Sequence, residues 1–461
     1  MLTLIRRTVR WRSASLVLCE TSVILGAVAV AVYLRLGLAA LTTEVSLLYK
    51  ALLIAGVTQL SLYFADLYDF RVLTDRRELF VRATQALGAT SVILAGLYYW
   101  LPDLIVGRGV FMVAAVLIIL LVFGWRVLFE WAHKVGPRER LLLVGTSQGA
   151  VRLARELHER RNLGVEIAGF IDPDPERVGA PVLNPGVIGT IEDIPAIVRA
   201  RGIDRVVVSL SDARGKLPMD KLLEMKLDGV TFDHLASVYE QYTGKIAVEN
   251  LRPSWLIFSE GFRKSRFQLT LKRLLDLIAG TVGLIIALPL LLLVALAVKL
   301  TSSGGVLYQQ KRVGCRGHIF SVYKFRSMRV DAEKETGAVW AAANDSRVTS
   351  VGGFLRRTRL DELPQLWNIV RGDMSLVGPR PERPEFVTSL TQEIPFYGQR
   401  HTVRPGLTGW AQVQYTYGAS LEDAMEKLQY DLFYIKNMSV AMDVFVIAKT
   451  VKTVLMQRGG Q

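Results

Sequence analysis

LLDLIAGTVGLIIALPLLLLVALAV, Leu274–Val298, is the stretch whose reading decides how this chain is arranged. As a helix rising ~1.5 Å per residue it is long enough to cross the ~30 Å hydrocarbon core of a bilayer. Its one charged residue is Asp276. Both flanks are basic: Arg263, Lys264, Arg266, Lys272 and Arg273 precede it, and Lys299, Lys311, Arg312 and Arg316 follow it. Positive charge at both ends favours keeping both in the cytoplasm. Pro289, in mid-run, removes a backbone hydrogen bond and bends a helix. The expectation is a helix that enters one leaflet, turns at Leu288-Pro289 and returns. The alternative is a spanning helix kinked at proline, which would place the residues after it outside the cell.

The remainder of the chain agrees with a membrane setting. At 461 residues it is too long for one core. Hydrophobic residues are 51%, mean hydropathy is +0.30 and the formal charge is +14. Nucleic-acid binding is another use of such charge, but the apolar runs already demand a membrane. Four runs of spanning length open the chain, at Ser15–Leu34, Val45–Ala65, Ala83–Leu101 and Gly109–Phe129. Arg6, Arg7, Arg10 and Arg12 precede the first; Arg71, Arg76, Arg77 and Arg82 separate the second and third; Arg126, His133, Lys134, Arg138 and Arg140 close the fourth. The alternate loops hold Arg35 and Arg108, so the bias places both ends of the region in the cytoplasm. With three further runs behind it, the first is read as a span and not as a cleavable signal. Glu20 and Arg126 are expected to snorkel or to pair between helices. Cys19 and Cys315 make no disulfide framework.

From Arg138 the composition turns soluble. Arg140–Val144, Glu166–Ile171 and Arg205–Leu210 read as buried strands, with helices Ala150–Arg161 and Ile191–Arg201 between them, which implies a parallel α/β sheet. The loop Gly145-Thr146-Ser147-Gln148-Gly149 has the look of a dinucleotide turn. Ser147 and Ala150 stand where two of the glycines belong, so it is read as a degenerate module for packing, oligomerisation or regulation.

Chemistry concentrates further on. In Tyr308–Met328, Gly314 and Gly317 punctuate a turn between two strands. Lys324 and Arg326 fall on one face of the second strand, spaced to hold a diphosphate. Arg356, Arg357 and Arg359 then lead into the acid pair Asp361-Glu362. Leu363, Leu366, Trp367 and Val370 follow as a helical stripe, with Pro364 suited to a first turn. The residues leave two uses of Asp361 open, helix N-cap and nucleophile toward a phosphate. Arg356 and a divalent ion on Glu362 would offset the repulsion between carboxylate and phosphate, and oxygen ligands select Mg²⁺ over zinc. Pro379-Arg380-Pro381 holds an arginine on a stiff backbone, fit for a nucleotide phosphate or for a surface turn. Arg404–Gly409 is a similar loop, and Ser439–Met456 reads as an amphipathic helix with Val440, Val444, Ile447, Val451 and Leu455 on one side.

From about Leu271 onward the chain resembles the polyprenyl-phosphate phosphoglycosyl transferases, the monotopic bacterial sugar transferases, in their long exopolysaccharide-initiating form. The residues that carry the likeness are the mid-run proline, KFRSM at Lys324–Met328, DELPQLWNIVRGDMSLVGPRP at Asp361–Pro381 and RPGLTGWAQV at Arg404–Val413. Tyr239–Phe262 is similar to one subgroup. Leu288 replaces the usual serine before the proline, and Gly304-Gly305 the usual Gly-Pro. The resemblance implies a membrane protein in four parts. These are an N-terminal four-helix transmembrane bundle (1–135), a Rossmann-like α/β middle domain (136–250), a linker (251–270), and a C-terminal α/β catalytic domain (271–461) with a re-entrant membrane helix (274–298). It implies a reaction in which a UDP-sugar, glucose or galactose, gives its sugar 1-phosphate to undecaprenyl phosphate and UMP leaves. Asp361 is then the nucleophile, Glu362 assists it, and both hold Mg²⁺. Arg356, Lys324, Arg326, Pro379, Arg380, Pro381 and Arg404 bind substrate. A homodimer in the bacterial inner membrane, with middle and catalytic domains facing the cytoplasm and no nucleic-acid partner, completes the expectation. Its rival is a membrane scaffold or regulator of polysaccharide assembly whose acid pair is structural.

Overall fold

The computed structural model describes residues 2–39, 46–68, 76–134, 139–159, 164–209, 219–248, 256, 259–329, 332, 347–415, 418 and 420–455, without the side chains of 2–14, 76–78, 108, 129–134, 219 and 455. Of the groups behind the charge-bias reading, Arg71 and Arg138 lie outside these, as do the side chains of Arg6, Arg7, Arg10, Arg12, Arg76, Arg77, Arg108, His133 and Lys134; of the 251–270 linker, residues 251–255, 257 and 258 lie outside. The chain divides into two compact units, 1–234 and 235–461.

In the first unit, helices α1 (Leu2–Leu36), α2 (Leu47–Phe64), α3 (Arg76–Trp100) and α4 (Arg108–Lys134) each carry a window long and apolar enough to cross a membrane. Leu16, Ile24, Ile54, Leu62, Leu79, Leu94, Ile118 and Val122 close into a shared apolar cluster. Leu18, Leu48, Val92 and Leu120 point away from it and are exposed. A helix apolar on both faces belongs in lipid. The pairing expectation for Glu20 holds: Arg126 Nε lies 2.6 Å from Glu20 Oε1, both fully buried, and the Tyr68 hydroxyl donates to Glu20 Oε2.

Downstream, β1 (Glu139–Val144), β2 (Val165–Ile171), β3 (Val187–Gly189), β4 (Arg205–Val208) and β5 (Thr231–His234) form a parallel sheet in the order β3-β2-β1-β4-β5, with α5 (Gln148–Glu159), α6 (Ile194–Arg201) and α7 (Met219–Leu227) between strands. The Rossmann-like expectation is met, while β3 and β5 were too short or too mixed to read as strands. Gly145, at φ 103°, makes the turn after β1. Thr146 and Arg177 both donate to Asp172 there, and those bonds hold its carboxyl below the usual aspartate range although burial alone would raise it.

The second unit begins earlier than composition suggested. Helix α8 (Leu235–Thr243) and the residues to Val248 were read as part of the middle domain, yet they pack with the C-terminal residues. Lys245 reaches Glu426 at 2.6 Å, Gly244 accepts from Trp410 Nε1, and Ile246 and Val248 join the cluster of Tyr430 and Tyr434. Helix α9 (Arg266–Thr301) follows, capped by a Ser265–Gln268 box; it is one helix through Pro289, and the turn expected at Leu288-Pro289 does not interrupt it. At ~1.5 Å per residue it is about 54 Å long. Both halves pack on this unit: Gly280 and Gly283 against Ile369, Val370 and Leu366, and Val294 and Val298 against Phe325 and Leu355. Leu288 is exposed.

The basic residues before α9's apolar run do more than flank it. Lys272 donates to Val377 O, Tyr434 and Asp443, and Arg273 caps the carbonyls of Ile369 and Val370. Asp276, whose partner the sequence left open, accepts from Ser375 Oγ and Leu376 N. These bonds tie the apolar helix to strand β8 (Ser375–Val377) and helix α11 (Gln365–Arg371). Strands β6 (Leu307–Val313) and β7 (Ile319–Phe325) form the expected antiparallel hairpin, with α10 (Ser350–Arg357) between it and α11. After α12 (Pro384–Glu393), strand β9 (Gly406–Thr408) pairs in parallel with β8, followed by α13 (Trp410–Gln414), α14 (Leu421–Asn437) and α15 (Val440–Leu455). Of α15's apolar side, Val444 and Val451 are exposed, while Asp443 and Val446 face inward, Asp443 bonded to Lys272 on α9.

The glycines of SLVGPRP and RPGLTGW have one shared cause. A Cβ on Gly406 would collide with the backbone of Gly378, and one on Gly409 with the Gly378 carbonyl. Gly406→Ala is therefore predicted to lower the thermal unfolding midpoint of the purified protein by several degrees, while Gly398→Ala, which meets open space, leaves it unchanged.

Candidate functional site

Helix α10 ends at Arg357, capped by Thr358, and the chain reverses through Arg359 at φ 60°, a left-handed conformation that costs a non-glycine residue roughly 1–2 kcal/mol. That turn aims the next residues, Leu360–Glu362, back into the domain as a single 3-10 turn. The N-cap position of α11 is Pro364, and no side chain caps it. The cap reading of Asp361 is thus replaced: the acid pair precedes the helix and stands under its first turn. The apolar stripe also shifts by one face. Leu366 and Ile369 are buried while Trp367 is exposed, because Asn368 turns inward. Asn368 Oδ1 accepts from Tyr323 N and its Nδ2 donates to Ser321 O, which fixes α11 on β7. Polar Asn368 gave no signal in an apolar period.

This packing brings Lys324 to the acid pair. Lys324 Nζ donates to Glu362 Oε1 at 2.7 Å, and Arg380 Nη2 donates to the same oxygen at 2.7 Å. Both carboxylates are buried. Burial raises the Glu362 carboxyl, but Arg380, Lys324 and their hydrogen bonds outweigh it and hold it well below the usual glutamate range. Asp361 differs. Its carboxyl forms no hydrogen bond among the described residues, and burial pushes it above the usual aspartate range; the Glu362 charge adds to that, while Lys324, Arg380 and Arg356 pull it down. Arg356 therefore acts on Asp361 through its charge, from the last turn of α10.

Pro379-Arg380-Pro381 is an arch pinned at three successive carbonyls. Gly406 N donates to Pro379 O, Arg400 to Arg380 O, and Arg312 to Pro381 O. The pins leave the Arg380 guanidinium directed at Glu362. Two expected substrate residues are not brought to the acid pair. Arg326 lies past the end of β7 and donates to Ser303 O, so it does not act with Lys324 as a strand-face pair. Arg404 is exposed, two residues before β9. For a metal, the donor set is oxygen: the Asp361 carboxyl and Glu362 Oε2, with no cluster of three or more His, Cys, Asp or Glu side chains among the described residues. Two carboxylates with the rest of the shell left to water and phosphate oxygens fit Mg²⁺.

A cation-lined pair of unequal carboxylates, tied to a long apolar helix, is the candidate site of this membrane protein. The bacterial sugar transferase profile matches residues 267–457, and a profile described as a CoA-binding domain matches 63–223. The UDP-glucose:undecaprenyl-phosphate glucose-1-phosphate transferase of Escherichia coli K12 is 34% identical over 334 residues, 70% of this chain and 69% of that protein. Its counterpart from Xanthomonas campestris is 32% identical over 338 residues, 69% and 67%. A UDP-N-acetylgalactosamine-undecaprenyl-phosphate N-acetylgalactosaminephosphotransferase from Aeromonas hydrophila is 42% identical over 222 residues, 48% of this chain and about half, 52%, of its own length. The chain belongs to the bacterial sugar transferases, the polyprenyl-phosphate phosphoglycosyl transferase family.

Glu362's depressed carboxyl has a consequence for stability. Its contribution is complete above the unfolded value of 4.5 and is lost as pH falls below that, through the lower folded value. Denaturation midpoints taken between pH 5 and pH 3 should fall more steeply for the native protein than for Glu362→Gln; parallel slopes would show that Glu362 is not held ionised.

Proposed function

We propose that this protein transfers a sugar 1-phosphate from a UDP-sugar to undecaprenyl phosphate through a covalent intermediate on Asp361, as the first step of exopolysaccharide assembly. The observation that carries the reading is the unequal treatment of two adjacent buried acids. Glu362 is engaged by two cations, whereas Asp361 keeps a carboxyl of raised basicity with no hydrogen bond among the described residues, which suits a nucleophile.

In the first step an Asp361 carboxylate oxygen attacks the sugar-bearing phosphorus. A new O–P bond forms, the bond from that phosphorus to the bridging diphosphate oxygen breaks, and UMP leaves with the electron pair. In the second step an oxygen of undecaprenyl phosphate attacks the same phosphorus. The acyl phosphate bond breaks, lipid diphosphate sugar forms and the Asp361 carboxylate returns. Lys324, Arg380 and Arg356 offset the negative charge gathered in both steps. Mg²⁺ held by Asp361 and Glu362 would add to that neutralisation when bound. The sugar is a hexose; glucose is favoured because the relatives matched over about 70% of this chain carry it in their names.

The acceptor is a membrane lipid, so the site must stand at headgroup height. We read α9 as re-entrant, with α1–α4 as a spanning bundle and both soluble parts in the cytoplasm. Support comes from the packing of both halves of α9 on the same compact unit and from Pro289 in its middle. A homodimer of such chains is part of the proposal.

Asp361→Asn is predicted to abolish sugar-phosphate transfer, by at least about 10³-fold, with an unchanged melting midpoint; a scaffold would show no turnover in the native protein either. In cells, Ser303→Cys should be labelled only after the inner membrane is permeabilised. Labelling from the periplasmic side would restore a spanning α9.

A further inference from the structure

Behind the arch lies a buried ion pair that the reaction itself does not use. Arg400 and Asp431 are 5% and 2% exposed, and Arg400 Nη2 lies 2.8 Å from Asp431 Oδ2. The Arg400 side chain also donates to the Tyr397 hydroxyl at 2.6 Å and to the carbonyl of Arg380 at 3.0 Å, and it lies over the Tyr397 ring. One planar guanidinium thus joins α14, the turn at Tyr397 and the arch. A lysine, whose donors all sit on one nitrogen, lacks the planar fork to do the same.

Buried ion pairs add little net stability, because desolvation of both charges offsets their attraction. Retaining one here calls for another use, and the third contact supplies it. The carbonyl held by Arg400 belongs to the residue whose guanidinium, at the other end of the same amino acid, holds Glu362. With Gly406 and Arg312 on the flanking carbonyls, Arg400 is the middle pin. We propose that the Arg400–Asp431 pair is a positioning element of the transfer site, fixing the backbone of Arg380 so that its guanidinium stays on Glu362 and leaves Asp361 free to attack. The proposal rests on the transferase reading above. Arg400, Glu382 and Lys427 are the charged groups that act on Asp431, whose carboxyl burial pushes up to about 6 against the pull of Arg400.

The test is a double-mutant cycle on the full-length protein in detergent or nanodiscs, with a radiolabelled UDP-glucose assay sensitive enough to read Arg380→Lys. Arg400→Lys should lower kcat about 100-fold, as expected for a misplaced catalytic group, with the donor KM changed less than about 3-fold and the melting midpoint held. If Arg400 acts through Arg380, Arg400→Lys causes no further loss in an Arg380→Lys background. Asp431→Asn should follow the same pattern. The proposal is overturned if the two losses multiply, if kcat is kept, or if activity falls only as the fold is lost. A native protein without transfer activity would instead overturn the transferase reading.

Discussion

Two neighbouring carboxylates cannot both be buried and charged without help, and the structure depends on how that help is divided. Lys324 and Arg380 converge on one oxygen of Glu362. Asp361 receives charge from a distance and, among the described residues, no hydrogen bond. The division requires Lys324 on β7, Arg380 on the arch and the acid pair on the turn after Arg359 to meet within hydrogen-bond reach. Asn368 joins α11 to β7, the Gly378–Gly406 contact seats the arch beside β9, and Arg273 and Asp276 fasten that assembly to α9. A site made this way keeps a fixed place relative to the apolar helix it is fastened to.

The bonds from α9 sharpen the role of charge around a membrane helix. Lys272 and Arg273 read as flanking cations, of the kind that orient a segment by staying in the cytoplasm. In the folded domain their donors are spent on Val377, Asp443, Ile369 and Val370. The two descriptions are compatible, since the partners are themselves parts of a water-soluble domain. The positive-inside argument is weaker for these residues than counting suggests, and the proposed re-entrant reading rests instead on the packing of both halves of α9 on one unit.

Most of the fold was legible because it depends on period and punctuation. The four apolar runs, the strands around the Gly145 turn and the β6–β7 hairpin all declare themselves locally. The acid pair, Lys324 and Arg380 were legible as chemistry. What failed depends on partners distant in the chain. Trp367 fits an apolar stripe until Asn368 finds Ser321 and Tyr323, and the stripe then rotates. Arg326 has the right spacing from Lys324, but the strand ends at Phe325. The stretch after His234 resembles its neighbours in composition, and Lys245 meeting Glu426, 181 positions on, assigns it to the other unit. Arg400 and Asp431 are separated by β9 and α13, and a charged residue in a polar stretch announces no burial.

The central claim is that Asp361 carries the phosphosugar. The most direct measurement is rapid-quench release of UMP after mixing the protein with UDP-glucose and no lipid acceptor, with mass analysis of the Asp361 peptide. The account predicts a burst approaching one UMP per active protein, matched by a hexose-phosphate adduct on Asp361, and neither in Asp361→Asn. Release of UDP, or UMP formation that waits for the lipid and leaves Asp361 unmodified, would contradict it.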